Sequence, residues 1–222
     1  MANLNRKIFA EFLGTAGLLA VVVGSGIMGE RLAGRNDAIA LLANSVATGA
    51  GLTFLILSFS EISAHFNPAV TLGEVLRGYL SWKILTIYSF VQICGAIIGV
   101  MAANLMFELP LIFISTKMRT GFSQWFSEFI ATFGLIGVIR AGSKFQPKFT
   151  ALMVAAYITA AYWFTSSTSF ANPAVTIARS ISDTFAGIRP ADVFPFIIAQ
   201  ILGAAAAILV FNWLLKEEGE NV

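Results

Sequence analysis

Two asparagines, Asn67 and Asn172, each open the same five-residue run Asn-Pro-Ala-Val-Thr in a chain of 222 residues. Asn is a favoured helix N-cap and Pro suits the first helical position, so each copy predicts a helix start: Asn67-Pro68-Ala69 and Asn172-Pro173-Ala174. A helix start presents unpaired backbone N–H groups and a partial positive charge, and the Asn amide adds a side-chain donor. That chemistry orients a polar molecule and repels cations; it breaks no bonds. Two carboxylates, Glu11 and Glu128, stand inside apolar runs. They could form a proton relay or accept hydrogen bonds from irregular backbone ahead of each predicted helix. The second reading is preferred, because no Lys or Arg inside the runs partners them. The single histidine, His65, is a gate, a pH sensor or a fixed pore-lining or packing group. The single cysteine, Cys94, forbids an intrachain disulfide and a Cys-based metal cage. With no nucleophile–base pair, phosphate loop or metal-ligand cluster, no catalytic residue, cofactor or metal is assigned, and the chain reads as no enzyme.

The elements that position these residues follow from hydropathy. The chain is 57% hydrophobic and 12% charged, with a mean hydropathy of +0.80. This composition predicts an integral membrane protein. A net charge of +2, scattered along the chain, argues against a nucleic-acid partner. Six runs reach spanning length: Ile8–Met28, Ala38–Phe59, Ile84–Phe107, Phe122–Ile139, Phe149–Thr168 and Val193–Leu215. The first run is too long for a cleavable signal. An even number of spans puts both termini on one side. Placing them in the cytoplasm leaves eight Lys/Arg inside and six outside, the expected bias.

Three segment pairs recur in the same order. Phe9–Thr15 matches Phe126–Thr132, the Asn-Pro-Ala copies repeat, and Gln92–Ala96 matches Gln200–Ala204. The chain therefore reads as one domain, 1–222, built from repeats 1–110 and 120–222. Each repeat holds three spans, so the second must enter from the opposite face. The short apolar segments after the Asn-Pro-Ala copies, half-helices 67–76 and 172–182, each cover about half of the ~30 Å hydrocarbon thickness. Entering from opposite faces, they would meet N-terminus to N-terminus at the midplane. Irregular backbone at that depth is tolerated where it lines a water-filled cavity, so a pore is expected.

These residues resemble the aquaporin, or major intrinsic protein, family over nearly the whole chain. The resemblance is carried by Ala10-Glu11-Phe12-Leu13-Gly14-Thr15, by Ala64-His65-Phe66-Asn67-Pro68-Ala69-Val70 and by the second Asn172-Pro173-Ala174. It implies an all-α membrane fold of six transmembrane helices plus two re-entrant half-helices in an inverted 3+3 arrangement. It also implies a homotetramer surrounded by lipid, with one pore per subunit for water and small neutral solutes. The setting it implies is the bacterial inner membrane. Elementary electrostatics agrees: opposed positive helix ends exclude cations and protons while the two Asn amides orient the permeant.

The chain departs from that family's usual outer filter, where Arg follows the second Asn-Pro-Ala. Here the position is Val175, and counting against the family pattern places the other filter residues at Thr48, Ala160 and Ser169. All four are uncharged and none is aromatic, which implies a wide opening. Arg179, four residues beyond Val175, is either a displaced filter arginine at the outer mouth or a loop anchor on Asp183 or backbone carbonyls. The run Asn-Pro-Ala-Val-Thr-Ile-Ala-Arg with small filter residues is similar to a bacterial aquaglyceroporin group linked to arsenic resistance. That likeness implies passage of glycerol-sized solutes and neutral trivalent arsenicals. A water-selective pore, a secondary transporter of a neutral solute and a closed junction protein are the competing readings.

Overall fold

The computed structural model describes residues 3–216, all helix and loop apart from one isolated bridge between Phe113 and Ser182. Six long helices are α1 (Leu4–Leu32), α2 (Asp37–Phe59), α4 (Trp82–Met106), α5 (Phe122–Phe145), α6 (Thr150–Phe164) and α8 (Pro190–Leu214). Two short ones, α3 (Pro68–Leu76) and α7 (Pro173–Ala178), begin at the prolines of the doubled motif. Local chemistry sets several starts. Asn3, Asn36 and Ser81 each turn a side-chain oxygen onto backbone N–H groups of the first turn of α1, α2 and α4. Pro190 occupies the first turn of α8, where its missing N–H costs nothing.

Among the described residues, five helices are long and apolar enough to cross a membrane: α1, α2, α4, α5 and α8. The fifth apolar run behaves differently from the span 149–168 expected of it. A 3₁₀ turn at Pro147–Phe149 leads into α6, which lasts 15 residues and ends at Phe164. Thr165 is extended (φ −110°, ψ 137°), and its hydroxyl folds back to the Ala161 carbonyl. The remaining residues run as open chain to Asn172.

Burial is inverted relative to a soluble protein. Large apolar side chains face outward, among them Phe9, Leu42, Phe90, Phe122, Leu209 and Trp213. Glu11, Asn44, Gln92, Glu128 and Gln200 are all buried, each at 1% exposure or less. In a solvent of hydrocarbon this is the low-energy arrangement, because polar groups must satisfy one another inside. Close helix approach comes from small residues. A Cβ on Gly95 would collide with the Phe12 carbonyl, and one on Gly203 with the Phe129 carbonyl. These two glycines bring α4 against α1 and α8 against α5 at matching places.

Candidate pore and selectivity filter

The loops leading into α3 and α7 are held by the two buried carboxylates. Glu11 accepts from the backbone N–H of His65 (2.8 Å) and Phe66 (2.7 Å), from Ser63 Oγ and from Gln92 Nε2 (2.8 Å). Glu128 accepts from the N–H of Phe170 and Ala171, both at 2.9 Å, and from Gln200 Nε2 at 2.6 Å. Each carboxylate thus takes two orphan N–H groups, and charge-assisted bonds of this kind are the strong class. They hold backbone in an unfavourable region: Phe66 (φ 50°) and Ala171 (φ 48°) are left-handed without being glycine.

Asn67 and Asn172 then complete two tasks at once. Asn67 Oδ1 accepts from Ala69 N, and Asn172 Oδ1 from Ala174 N and Val175 N, which caps each short helix. Asn67 Nδ2 donates to the Ala171 carbonyl and Asn172 Nδ2 to the Phe66 carbonyl, both at 2.8 Å. The caps are therefore cross-tied, and the two helix N-termini stand against each other. Each Nδ2 keeps a second N–H, and both asparagines line a cavity of about 440 Å³.

One wall of that cavity is apolar, from Leu18, Leu52, Ile56, Leu135, Val154 and Ile158. At the end beyond α3 lie Glu74 and Arg77, bonded to each other at 2.8 Å. His65 also lines it, its Nδ1 3.1 Å from Thr71 Oγ1 and its ring edge-on to Tyr88. A second cavity of about 480 Å³ shares Ala64 and His65 and carries Lys7, Ser60 and Lys148 on its walls.

At the other end, beyond α7, the sequence-derived filter is partly rearranged. Thr48, Ser169 and Val175 line the cavity. Ala160 does not: it is exposed on the outside of α6, and the residues of that helix lining the cavity are Thr150, Val154, Ile158 and Tyr162. Counting back from Asn172 fixes an offset in sequence and not a helix face, and the cavity-lining face of α6 repeats every four residues. Tyr162 OH lies 3.2 Å from Thr48 Oγ1, so this wall carries an aromatic ring and a hydroxyl pair. Ser169 Oγ, buried at 3% exposure, finds no hydrogen-bond partner among the described residues.

Arg179 is fully inside the protein, 2% exposed, and lines the same cavity. Its Nε donates to the Ala186 carbonyl, and its guanidinium carbon lies 3.5 Å from the Phe170 ring centroid. Asp183 is not its partner; that carboxylate accepts from Thr116 N–H and Oγ1 and from Ser115 Oγ. Arg179 is thus bonded to a backbone carbonyl and lines the cavity. Arg119, which sequence reasoning misses, is also buried at this mouth, with its guanidinium carbon 4.8 Å from the same Phe170 ring. No local signal in its segment marks it out.

The profile of the Major intrinsic protein family matches residues 1–150, and an aquaglyceroporin, AqpS, of Rhizobium meliloti (strain 1021) is 51% identical over 215 residues. That match covers 96% of this chain and 92% of the relative. The chain belongs to the major intrinsic protein family. At lower identity, the aquaporin NIP3-1 of Oryza sativa subsp. japonica is 27% identical, over 99% of this chain and 72% of its own. The X-ray structure of the aquaglyceroporin from Plasmodium falciparum superimposes with a TM-score of 0.75, covering 95% of this chain and 96% of that one at 20% identity. At that identity the likeness is one of fold, and it identifies the bundle of six helices and two half-helices as the aquaporin fold. As a family member, this membrane protein is a channel for water and small solutes.

Proposed function

We propose that this channel passes water and uncharged solutes of glycerol size, with an outer filter formed by Thr48, Tyr162, Ser169 and Val175 and a cation barrier supplied by Arg179. The observation that carries the reading is the Arg179 guanidinium, fixed by one N–H to the Ala186 carbonyl and set beside the cavity. Val175 leaves the position after the second Asn-Pro-Ala uncharged, which removes one claim on the permeant's hydrogen bonds. The hydroxyls of Thr48, Tyr162 and Ser169 supply donors and acceptors to a polyol, and the apolar wall offers nothing to trap it. Glu11 and Glu128 serve as fixed acceptors for loop backbone, not as a relay. A neutral trihydroxy acid such as As(OH)3 presents hydroxyls much as glycerol does, so trivalent arsenicals belong among the tested cargo.

The same reading places two inverted repeats in the inner membrane of a bacterium, both termini cytoplasmic, with four subunits per assembly. Stopped-flow light scattering on proteoliposomes, comparing water, glycerol, urea and arsenite, tests the filter. Val175→Arg would put a second guanidinium one turn from Arg179. Glycerol and arsenite flux should fall roughly tenfold, an added barrier of ~1.4 kcal/mol, while water flux persists. Undiminished glycerol flux in Val175→Arg would refute the filter assignment.

A further inference from the structure

Beside Arg179, the outer mouth holds two more cations, Lys117 and Arg119, from the segment joining α4 to α5. The three share one strip of backbone. Lys117 Nζ donates to the Phe185 carbonyl (2.7 Å), Arg179 Nε to that of Ala186, and Arg119 Nε to that of Gly187 (2.8 Å). Consecutive carbonyls thus receive one cation each.

Arg119 reaches further than its neighbours. Its Nη1 donates to the Ser167 carbonyl at 2.9 Å and lies 3.4 Å from Thr168 Oγ1, while its own backbone N–H donates to Asp192 Oδ2. Among the described residues, carbonyl and hydroxyl oxygens are the acceptors of its guanidinium, not a carboxylate. One side chain therefore ties the strip 185–187 to the loop 167–170. Those are the two pieces that set Arg179: Ala186 supplies its acceptor and Phe170 its platform. Arg119 itself lies outside the set of residues lining the cavity.

We propose that Arg119 is a positioning residue for Arg179, a role that rests on the reading of Arg179 as the cation barrier. It does so in two ways. It fixes both loops, and it fills the neighbouring acceptors, Gly187 O and Ser167 O, with a like charge. Arg179, sharing the Phe170 ring with that charge, is left with the cavity as the place for its remaining N–H groups. Without Arg119, two buried carbonyls lose their donors, and Arg179, bonded to the adjoining Ala186 carbonyl and set on the same Phe170 ring, is a guanidinium able to turn toward them.

The test uses the full-length channel in proteoliposomes, as wild type, Arg119→Met, Arg119→Lys, Arg179→Met and the double Met variant. One readout is cation and proton leak divided by water flux. The other is modification of Arg179 by diacetyl, a small neutral guanidine reagent, located by mass spectrometry. Arg119→Met should raise the leak ratio several-fold and reduce modification at Arg179. The double variant should leak no more than Arg179→Met alone, the non-additivity expected of two residues acting as one unit. Lys keeps the charge but lacks the fork that bridges two carbonyls, so Arg119→Lys should fall between wild type and Met. Leak and water flux changing together in Arg119→Met, with Arg179 still modified as in wild type, would overturn the positioning role. An unchanged leak in Arg179→Met removes the barrier reading instead, and the modification result then decides the positioning role by itself. Should Arg119→Met fail to fold, Arg119→Lys carries the same two readouts: an unaltered leak ratio and unaltered modification overturn the proposal.

Discussion

Charge at the mouth beyond α7 is distributed one residue at a time. Lys117 shows the cost most directly: burial, then the neighbouring Arg119 and Arg179, push its ammonium down from 10.5 to about 8. Its Nζ still keeps the Phe185 carbonyl and sits 4.4 Å from the centroid of that residue's ring. The sign of the consequence follows. Below about pH 8 the folded channel carries a charge that the unfolded chain holds more comfortably, so folding is penalised. Between about 8 and 10.5 the unfolded chain binds more protons than the folded one, and stability rises with pH through that window. Melting temperature in detergent, measured from pH 7 upward, should climb more steeply for wild type than for Lys117→Met. Parallel curves for the two proteins would refute this assignment of the titrating group.

Helices bring the site together because small residues let them touch. Gly95 and Gly203 remove the side chains that would otherwise hold α4 away from the Phe12 carbonyl and α8 away from the Phe129 carbonyl. The same helices carry Gln92 and Gln200, whose amides reach Glu11 and Glu128. Glycine at these crossings and the carboxylate bonds one turn away are therefore one device. Gly203→Ala forces a methyl group against the Phe129 backbone carbonyl, which no rotamer change relieves. The expected loss is ~2 kcal/mol or more, seen as a lower unfolding midpoint, together with reduced solute flux as the loop before α7 shifts. A variant with wild-type stability and flux would show that α5 and α8 have slack at this crossing.

For the molecule as a whole, the two short helices are joined cap to cap where the halves of the chain meet. Asn67 is tied to Ala171 and Asn172 to Phe66, so displacing one loop breaks a bond in the other. The groups that a coupled transporter would titrate at this depth, Glu11 and Glu128, are occupied by backbone N–H donors. Flux should therefore rise linearly with solute gradient and ignore an imposed proton gradient. Saturation at modest solute concentration, or uptake driven by the proton gradient, would point to a transporter instead.

The doubled Asn-Pro-Ala, the apolar runs and the paired Glu–Gln positions are legible because each is a local signal: a cap, a period, a recurrence. They suffice for a membrane channel of this family. Residue counting offers Ala160, whereas the face of α6 that lines the cavity carries Thr150, Val154, Ile158 and Tyr162; which face turns inward is set by packing against α2 and α5, contacts that no short-range rule forces. Nearness in sequence offers Asp183 to Arg179, yet Thr116 and Ser115 claim it from 67 and 68 residues away. Arg119 joins the mouth across 48 residues to Ser167 and 68 to Gly187. The sequence by itself determined what kind of machine this is, since periodicity and capping act within a few residues. Only the tertiary structure decided which cations surround the opening beyond α7, because a buried guanidinium takes whichever carbonyls the folded loops bring within reach.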